Sequence, residues 1–240
     1  MKKSFYLVYL LLFAVFICSI TSCINNASLQ GNGKIIKKEI QVGEFNKIEI
    51  SGIINVYITQ GTAAKLEIET DENLIEFIDA KVRSKKLKIK EKKIVSSTKG
   101  INIYLTITTL DQITLSGYTS LISSDKLNFD KIAIEASGSS KIKMDINGVD
   151  MNTQLSGNSS VELYGNIYTA GINASGSANI DASNLNVDDL KLEVSGSAAA
   201  KVNVISKFDV EASGSAQVEY QGTPDMKQEV SGTGTVTKIY

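Results

Sequence analysis

Apolar and polar residues alternate through the C-terminal half of the chain in blocks, each of which contains a Ser-Gly pair. The residue before the serine is apolar in every block, a further apolar residue follows five positions after it, and in five blocks another follows two positions later. Alternation with a period of two is typical of a β-strand that buries one face. The pattern therefore predicts strands on both sides of a corner that the Ser-Gly pair forms.

The pair recurs at steps of 21, 19, 19, 20, 18 and 18 residues. The serines are Ser116, Ser137, Ser156, Ser175, Ser195, Ser213 and Ser231. A repeat of this length is one structural unit that buries its apolar face by stacking on like units, and a glycine at a fixed corner indicates unusual φ or close approach of the next layer. The frames of leucine-rich and hexapeptide repeats are absent. We therefore predict an all-β fold, a right-handed parallel β-helix (β-solenoid) with one Ser-Gly corner in each repeat.

The preceding residues, 34–115, alternate in the same way but lack the regular period. An early Ser51-Gly52 pair stands far ahead of the next one, Ser116-Gly117, and residues 71–78 suggest one or two helical turns. We interpret this part as an irregular, strand-rich N-terminal half that caps the same solenoid. The predicted divisions within the folded part are residues 34–115 and residues 116–240.

The first residues have the pattern of a targeting segment. Lys2 and Lys3 precede an apolar run over residues 5–18, and Ile20-Thr21-Ser22-Cys23 resembles a bacterial lipobox. We predict a lipoprotein signal peptide over residues 1–22, with acyl chains such as palmitate on Cys23, and a polar tether over residues 23–33. An ordinary secretory peptide and a membrane anchor are the alternatives. The lipoprotein interpretation predicts secretion across the inner membrane and lipid anchoring in the cell envelope, at the outer membrane, with the side of exposure left open.

The amino-acid composition excludes several classes of catalytic and binding site. The chain has no histidine, and its two cysteines are Cys18, in the predicted signal peptide, and Cys23. A histidine-based triad is thereby excluded, and lipidation would leave no thiol nucleophile. Without Lys2 and Lys3 the chain has 23 basic and 26 acidic residues, a net charge of −3, which argues against a nucleic-acid partner. No nucleotide-binding glycine motif is found, and no cofactor is predicted.

Several blocks resemble a known family. Residues 42–61 read Val-Gly-Glu-Phe-Asn-Lys-Ile-Glu-Ile-Ser-Gly-Ile-Ile-Asn-Val-Tyr-Ile-Thr-Gln-Gly, and Ile-Tyr-Leu-Thr-Ile over residues 103–107 precedes the Ser-Gly repeats. This order is similar to that of the auto-transporter adhesin family with a head GIN domain, over about residues 40–225. The resemblance implies a right-handed β-helical fold and a location in the envelope, and it supplies no catalytic residues.

A basic cluster is the first candidate binding surface. Eight lysines and arginines lie between residues 81 and 93. If Leu87 and Ile89 point inward, Lys86, Lys88 and Lys90 share one outer face. These lysines either blunt a strand edge against aggregation or contact anionic glycan or lipid head groups.

A column of acids is the second candidate. Two residues before the corner serines, Glu193, Glu211 and Glu229 fall in equivalent positions, and stacked turns would place them about 4.8 Å apart. Such a column requires screening, which water, Lys191 and Lys227 could supply. Alternatively, it binds Ca²⁺ or sugar, as in a β-helical polysaccharide lyase with a Lys or Arg base.

These observations favour a non-catalytic envelope lipoprotein that binds or displays a glycan or protein ligand, in the manner of an adhesin. Two alternatives stay open, a periplasmic structural or assembly protein and a polysaccharide-active enzyme. The sequence predicts no catalytic residue and no metal ligand, and it leaves the ligand and the oligomeric state undetermined.

Overall fold

The computed structural model describes residues 28–239, which form eighteen strands and one 3-10 helix, Glu72–Phe77. The strands are β1 Leu29–Gln30, β2 Ile35–Ile40, β3 Lys47–Gly52, β4 Ile54–Gln60, β5 Lys65–Asp71, β6 Ile78–Arg83, β7 Lys86–Glu91, β8 Val95–Ser96, β9 Ile101–Ile107, β10 Gln112–Gly117, β11 Ser120–Ala136, β12 Lys141–Leu155, β13 Ser160–Ala174, β14 Asn179–Val194, β15 Ala199–Ala212, β16 Gln217–Gln221, β17 Asp225–Val230 and β18 Thr235–Lys238. The predicted signal peptide and Cys23 lie outside the described residues.

The long strands β11 to β15 each form most of one solenoid turn. Each strand pairs in parallel with the next along nearly its whole length. The register shifts by bulges or irregularities between β11 and β12, β13 and β14, and β14 and β15. Ile142, Val161, Ile180, Ala200 and Val218 therefore stack in one buried column. The predicted β-solenoid is confirmed.

The Ser-Gly pairs form the corners between turns, as the spacing indicates. Gly138 has a φ of +75°, and a Cβ built on it would lie 2.7 Å from the carbonyl oxygen of Gly117 on the adjacent turn. That carbonyl accepts a hydrogen bond of 2.8 Å from the N–H of Ser139. The corner therefore requires glycine for two reasons, its positive φ and the close approach of the adjacent turn.

Inside the corner, the third residue after the serine is small and buried. Ser140 and Ser159 are buried hydroxyls that donate to the carbonyl oxygens of Ser137 and Ser156 over 2.8 and 2.7 Å. At the next three corners alanine takes this position, in Ala178, Ala198 and Ala216. The local turn satisfies the hydroxyl, so that serine and alanine serve equally well there.

The order of turns in space differs from their order in the chain. Strand β3 pairs in parallel with β10 on one side and β7 on the other, and β4 lies in the same way between β11 and β9. Residues 86–107 therefore form the terminal turn, and residues 47–60 form the turn next to it. As a result, Gly52 lies in register with Gly117 although the two are far apart in the chain.

Antiparallel strands close this end of the solenoid. Strand β6 pairs with β7, β5 pairs with β9, and β2 pairs with β5. The segment that suggests helical turns in the sequence is the 3-10 helix between β5 and β6. These elements form the cap that covers the apolar interior of the terminal turn.

A buried carboxylate fastens the cap together. The fully buried Asp71 accepts hydrogen bonds from the N–H of Gly33 at 2.7 Å, from the Ser97 hydroxyl at 2.7 Å, and from the N–H and hydroxyl of Thr98 at 2.9 Å each. Burial by itself raises the pKa of Asp71, but these hydrogen bonds outweigh it and lower the pKa to about 2. The carboxylate thus joins the N-terminal segment to strand β5 and to the loop before β9.

At the C-terminal end of the solenoid, the apolar residue before the corner serine is no longer buried. Ala136, Leu155, Ala174, Val194 and Ala212 precede the corner serines and are buried, as expected, but Val230 is 45% exposed. Its strand β17 pairs only with β15 within residues 28–239. The expectation that every apolar residue before a corner serine is buried is therefore wrong at this last turn.

Candidate functional site

One sheet carries both of the predicted surface features. Ten strands follow one another across it in the order β6, β7, β3, β10, β11, β12, β13, β14, β15 and β17. We call their outward side chains, from Asp79 on β6 to Glu229 on β17, the axial face. The two candidate clusters thus lie on a single surface, at its opposite ends.

A single column of outward residues connects the two clusters. In register, it runs Lys88, Glu49, Thr114, Glu135, Gln154, Asn173, Glu193, Glu211, Glu229. Six strand spacings of about 4.8 Å place Lys88 roughly 29 Å from Glu193. Between them lie Glu49, which is paired with Lys88, then Glu135 and three uncharged side chains. The charges of the column are therefore concentrated at its two ends.

The basic end consists of the cations on β6, β7 and β3. Leu87 and Ile89 are fully buried, so Lys86, Lys88 and Lys90 point outward as expected. The complete set is Lys47, Lys81, Arg83, Lys86, Lys88 and Lys90, accompanied by the carboxylates Glu49 and Asp79. Six cations against two anions leave an excess of four positive charges.

Some of these cations have partners within the face. Glu49 pairs with Lys86 at 3.2 Å and with Lys88 at 2.5 Å, and Asp79 pairs with Lys81 at 2.9 Å. The hydrogen bond from Lys88 is the main reason why the pKa of Glu49 lies below its usual value. Strand β7 is not the sheet edge, since β6 covers it. An edge-protecting role would therefore belong to Lys81 and Arg83.

At the acidic end, the three glutamates stack one above another. Glu193 pairs with Lys191 at 2.7 Å and accepts a hydrogen bond from the Asn173 amide at 2.9 Å, whereas Glu229 pairs with Lys227 at 3.1 Å. The hydrogen bond and charge of Lys191 lower the pKa of Glu193. Glu211 lies exposed between the two paired glutamates. The screening by Lys191 and Lys227 that the sequence suggests is therefore present in the structure.

A shallow groove follows the column along the solenoid axis. Two depressions of about 370 and 270 Å³ meet at Asn173. The corner serines, such as Ser195 and Ser213, form one wall, and the column from Thr114 to Glu229 forms the other. Each turn thus presents one hydroxyl and one carboxylate, amide or hydroxyl, which suits hydrogen bonding to an extended polar ligand.

Residues 28–239 contain no group of three or more acidic, histidine or cysteine side chains arranged to hold a metal ion. A sugar-binding enzyme commonly offers exposed aromatic rings. Of the three tyrosines on the strands of the repeats, Tyr164 contacts Glu162 and Lys143, Tyr220 packs on Phe208, and only Tyr168 is largely exposed. A Ca²⁺-dependent lyase therefore receives no support from the described geometry.

Sequence reasoning missed two further columns. Asn147, Asn166, Asn186 and Asn203 form an amide ladder whose side-chain hydrogen bonds measure 3.1, 2.9 and 2.8 Å. Outside the repeats, Tyr57 and Tyr104 stack with ring centroids 5.3 Å apart, and Lys37 lies 4.0 Å above Tyr104. The asparagines do not follow their corner serines at a constant interval, so that only an alignment tolerant of bulges would have revealed them.

None of the described residues belongs to a helix that is long and apolar enough to cross a bilayer. None of the curated proteins matches the chain. Solved structures do. A "putative adhesin" from Bacteroides fragilis NCTC 9343 is 27% identical with a TM-score of 0.83, and the match covers 88% of this chain and all of that one.

Two more distant structures have the same fold. A "putative lipid binding protein" from Parabacteroides distasonis ATCC 8503 is 20% identical with a TM-score of 0.74, over 89% of this chain and 100% of that one. A "putative adhesin" from Parabacteroides merdae ATCC 43184 is 20% identical with a TM-score of 0.67, over 89% and 99% of the two chains.

The family model described as "Putative auto-transporter adhesin, head GIN domain" matches residues 44–224. This range includes the cap apart from β2, the basic end of the axial face and the repeats up to β16. It agrees with the resemblance found in the sequence. The chain belongs to the auto-transporter adhesin family with a head GIN domain.

Proposed function

We propose that this protein is a non-catalytic lipoprotein of the cell envelope that binds an extended polar ligand, a glycan or a protein segment, along its axial face. The groove beside the stacked column carries this proposal. It offers hydrogen-bonding groups at every turn, about 4.8 Å apart. Membership of a family named for adhesins supports the same role.

The chemistry of the face favours binding over catalysis. Glu193 and Glu229 are paired with lysines, and the hydrogen bond from Lys191 holds the pKa of Glu193 below its usual value. A general acid at neutral pH requires the opposite, a raised pKa. Ionised carboxylates in an open groove serve better as hydrogen-bond acceptors for hydroxyl or amide groups.

The polarity of the groove selects a class of ligand. One structural neighbour is named a lipid binding protein, but here the groove is lined largely by serine, asparagine and glutamate side chains. An acyl chain lying in it would remove those polar groups from water without giving them partners, which is costly. We therefore propose a polyhydroxylated or peptide ligand rather than a lipid tail.

Protease treatment of intact cells tests where the solenoid lies. We expect digestion of the anchored protein on whole cells, since an adhesin must face outward. Protection until the outer membrane is opened would contradict the adhesin role and would favour the periplasmic structural alternative. Polysaccharide turnover that a chelator abolishes would instead favour the enzyme alternative.

Binding is tested by a matched pair of variants. Glu193→Gln/Glu211→Gln/Glu229→Gln removes the charges of the column, whereas Asp181→Asn/Glu219→Gln alters turns of the same region outside it. Screened against glycans and envelope proteins, the first variant should lose severalfold in affinity for the ligand that the native protein selects. Equal binding by both variants would show that the ligand does not bind in the groove.

A further inference from the structure

The two ends of the axial face carry opposite net charge. Its basic end has six cations and two carboxylates. At the outward positions of β14, β15 and β17 that lie in register with these residues, the other end has Lys191 and Lys227 against Glu193, Asp209, Glu211 and Glu229. The excess is four positive charges at the first end and two negative charges at the second. Such a separation orients a molecule near a charged surface.

The N-terminal segment enters the fold at the basic end. Strand β1 pairs with β8, and the N–H of Leu29 donates to the carbonyl oxygen of Ile94 over 3.0 Å. Ile94 follows Lys90 closely in the chain. Through Gly33, Asp71 then holds the same segment on the cap. The point at which a tether would leave the fold is therefore at the end that carries the cations.

The tether itself is short. Only residues 24–28 separate Cys23 from Leu29. Fully extended, that stretch spans about 20 Å. Across ten strands the axial face is about 43 Å long, since neighbouring strands lie about 4.8 Å apart. An anchor on Cys23 therefore keeps the cap end, rather than the acidic end, within reach of the bilayer.

We propose that the basic end of the axial face is a binding site for anionic lipid head groups of the membrane that holds the Cys23 acyl chains. This inference rests on the anchoring part of the proposed function. An anionic surface attracts nearby cations, and the attraction fades over a Debye length of about 8–10 Å. The acidic end begins roughly 29 Å from Lys88, well beyond that range, so only the basic end is held at the membrane and the groove extends away from it.

Lysine acetylation of the reconstituted protein tests the site. Full-length protein is placed in vesicles of phosphatidylcholine, with or without phosphatidylglycerol, and the labelling rate of each lysine is read by mass spectrometry. We expect Lys81, Lys88 and Lys90 to react severalfold more slowly in the anionic vesicles, and high salt to restore their rates. Lys191, Lys201 and Lys227, which belong to the last turns, should react equally in both.

Two variants separate head-group binding from mere proximity. In Lys88→Gln/Lys90→Gln, the protection of Lys81 in anionic vesicles should fall, whereas the matched Lys191→Gln/Lys227→Gln variant should keep it. Equal protection in neutral and anionic vesicles, or none in either, would overturn the head-group site. A Cys23 found without acyl chains would remove the anchor, and with it both this inference and the anchoring part of the proposed function.

Discussion

Gly117 lies directly on Gly52, so closely that a Cβ on Gly117 would stand 3.0 Å from the carbonyl oxygen of Gly52. The N–H of the next residue, Tyr118, donates to that carbonyl over 3.0 Å. The same contact recurs at each later corner up to Gly232. A continuous stack of glycines from Gly52 to Gly232 therefore fixes the register of the solenoid from the turn of residues 47–60 to its C-terminal end.

A glycine of this stack should not tolerate a methyl group. Gly176 has a φ of +78°, and its added Cβ would lie 2.9 Å from the carbonyl oxygen of Gly157. We expect Gly176→Ala to lower the free energy of unfolding by roughly 1–3 kcal/mol from backbone strain, or more if the turns separate. Denaturant unfolding followed by circular dichroism measures the change.

Gly171 is the matched control, because it has no positive φ and an added Cβ would meet nothing within 4 Å. Gly171→Ala should change stability by less than about 1 kcal/mol, and removal of backbone freedom from the unfolded chain can even stabilise the protein. Similar losses in the two variants would contradict the role assigned to the corner stack.

The cap should weaken in acid. The pKa of Asp71 in the folded protein is about 2, below the ordinary value of 3.8, so its carboxylate stabilises the fold fully above about pH 4. That contribution is lost as the pH falls through 2. Amide exchange at Gly33 and Thr98 should therefore accelerate between pH 4 and 2, after correction for the intrinsic pH dependence of exchange.

The Asp71→Asn variant should show the same loosening at neutral pH, since an amide cannot accept all four hydrogen bonds of the native carboxylate. Asp125→Asn, at an exposed position, serves as the comparison. If exchange at Gly33 is as slow in Asp71→Asn as in Asp125→Asn, the cap does not depend on this carboxylate.

The asparagine ladder should contribute to stability. Asn166 donates to Asn147 at 3.1 Å and accepts from Asn186 at 2.9 Å. Because these bonds are exposed, we expect Asn166→Ala to cost about 1 kcal/mol. On the axial face, Asn152 is exposed, and Asn152→Ala should be nearly neutral. Thermal unfolding of the two variants measures the difference, and a neutral Asn166→Ala would show that the ladder is only a consequence of the register.

The inside of the corner should accept a small residue and reject a large one. Ser159 is buried and satisfies its hydroxyl within its own turn, and alanine stands at the equivalent position in Ala178, Ala198 and Ala216. Ser159→Ala should therefore change stability by less than about 1 kcal/mol, the usual net worth of one hydrogen bond. Overpacking typically costs about 1–3 kcal/mol, so Ser159→Leu should unfold at clearly lower denaturant concentration. A tolerated leucine would mean that the corner has free space.

The repeat region was predictable because every corner repeats the same local requirements. A buried residue such as Ala174, then serine, then glycine at positive φ recurs at nearly constant spacing, and burial follows from alternation. Lys88 and Glu211 were each placed correctly on an outer face. That they share one sheet was not predictable, because the link depends on the pairing of β7 with β3, which the cap strands separate in the chain.

The alternation in residues 34–115 predicted that this part caps the solenoid, but the contacts that hold the cap together were not predictable, for a related reason. Asp71 binds groups 38 and 27 residues away in the chain, and nothing local distinguishes it from a surface aspartate. Val230 shows that an identical local sequence does not guarantee the same burial. It stands in the same Glu-Val-Ser-Gly sequence as Val194, yet one is 45% exposed and the other 2%, because burial depends on which turns lie above it.

The turn formed by residues 86–107 is at the end of the solenoid, and the turn formed by residues 47–60 is the next one inward. The terminal turn therefore comes later in the chain than its neighbour. A chain that emerges N-terminus first consequently cannot build this molecule layer by layer. The segment 47–60 has no parallel neighbour until residue 86 has appeared, whereas each repeat finds its neighbour in the very next one. Folding is therefore expected to nucleate among the repeats, where loop closure costs the least entropy. The N-terminal turns, which are synthesised first, are expected to fold last.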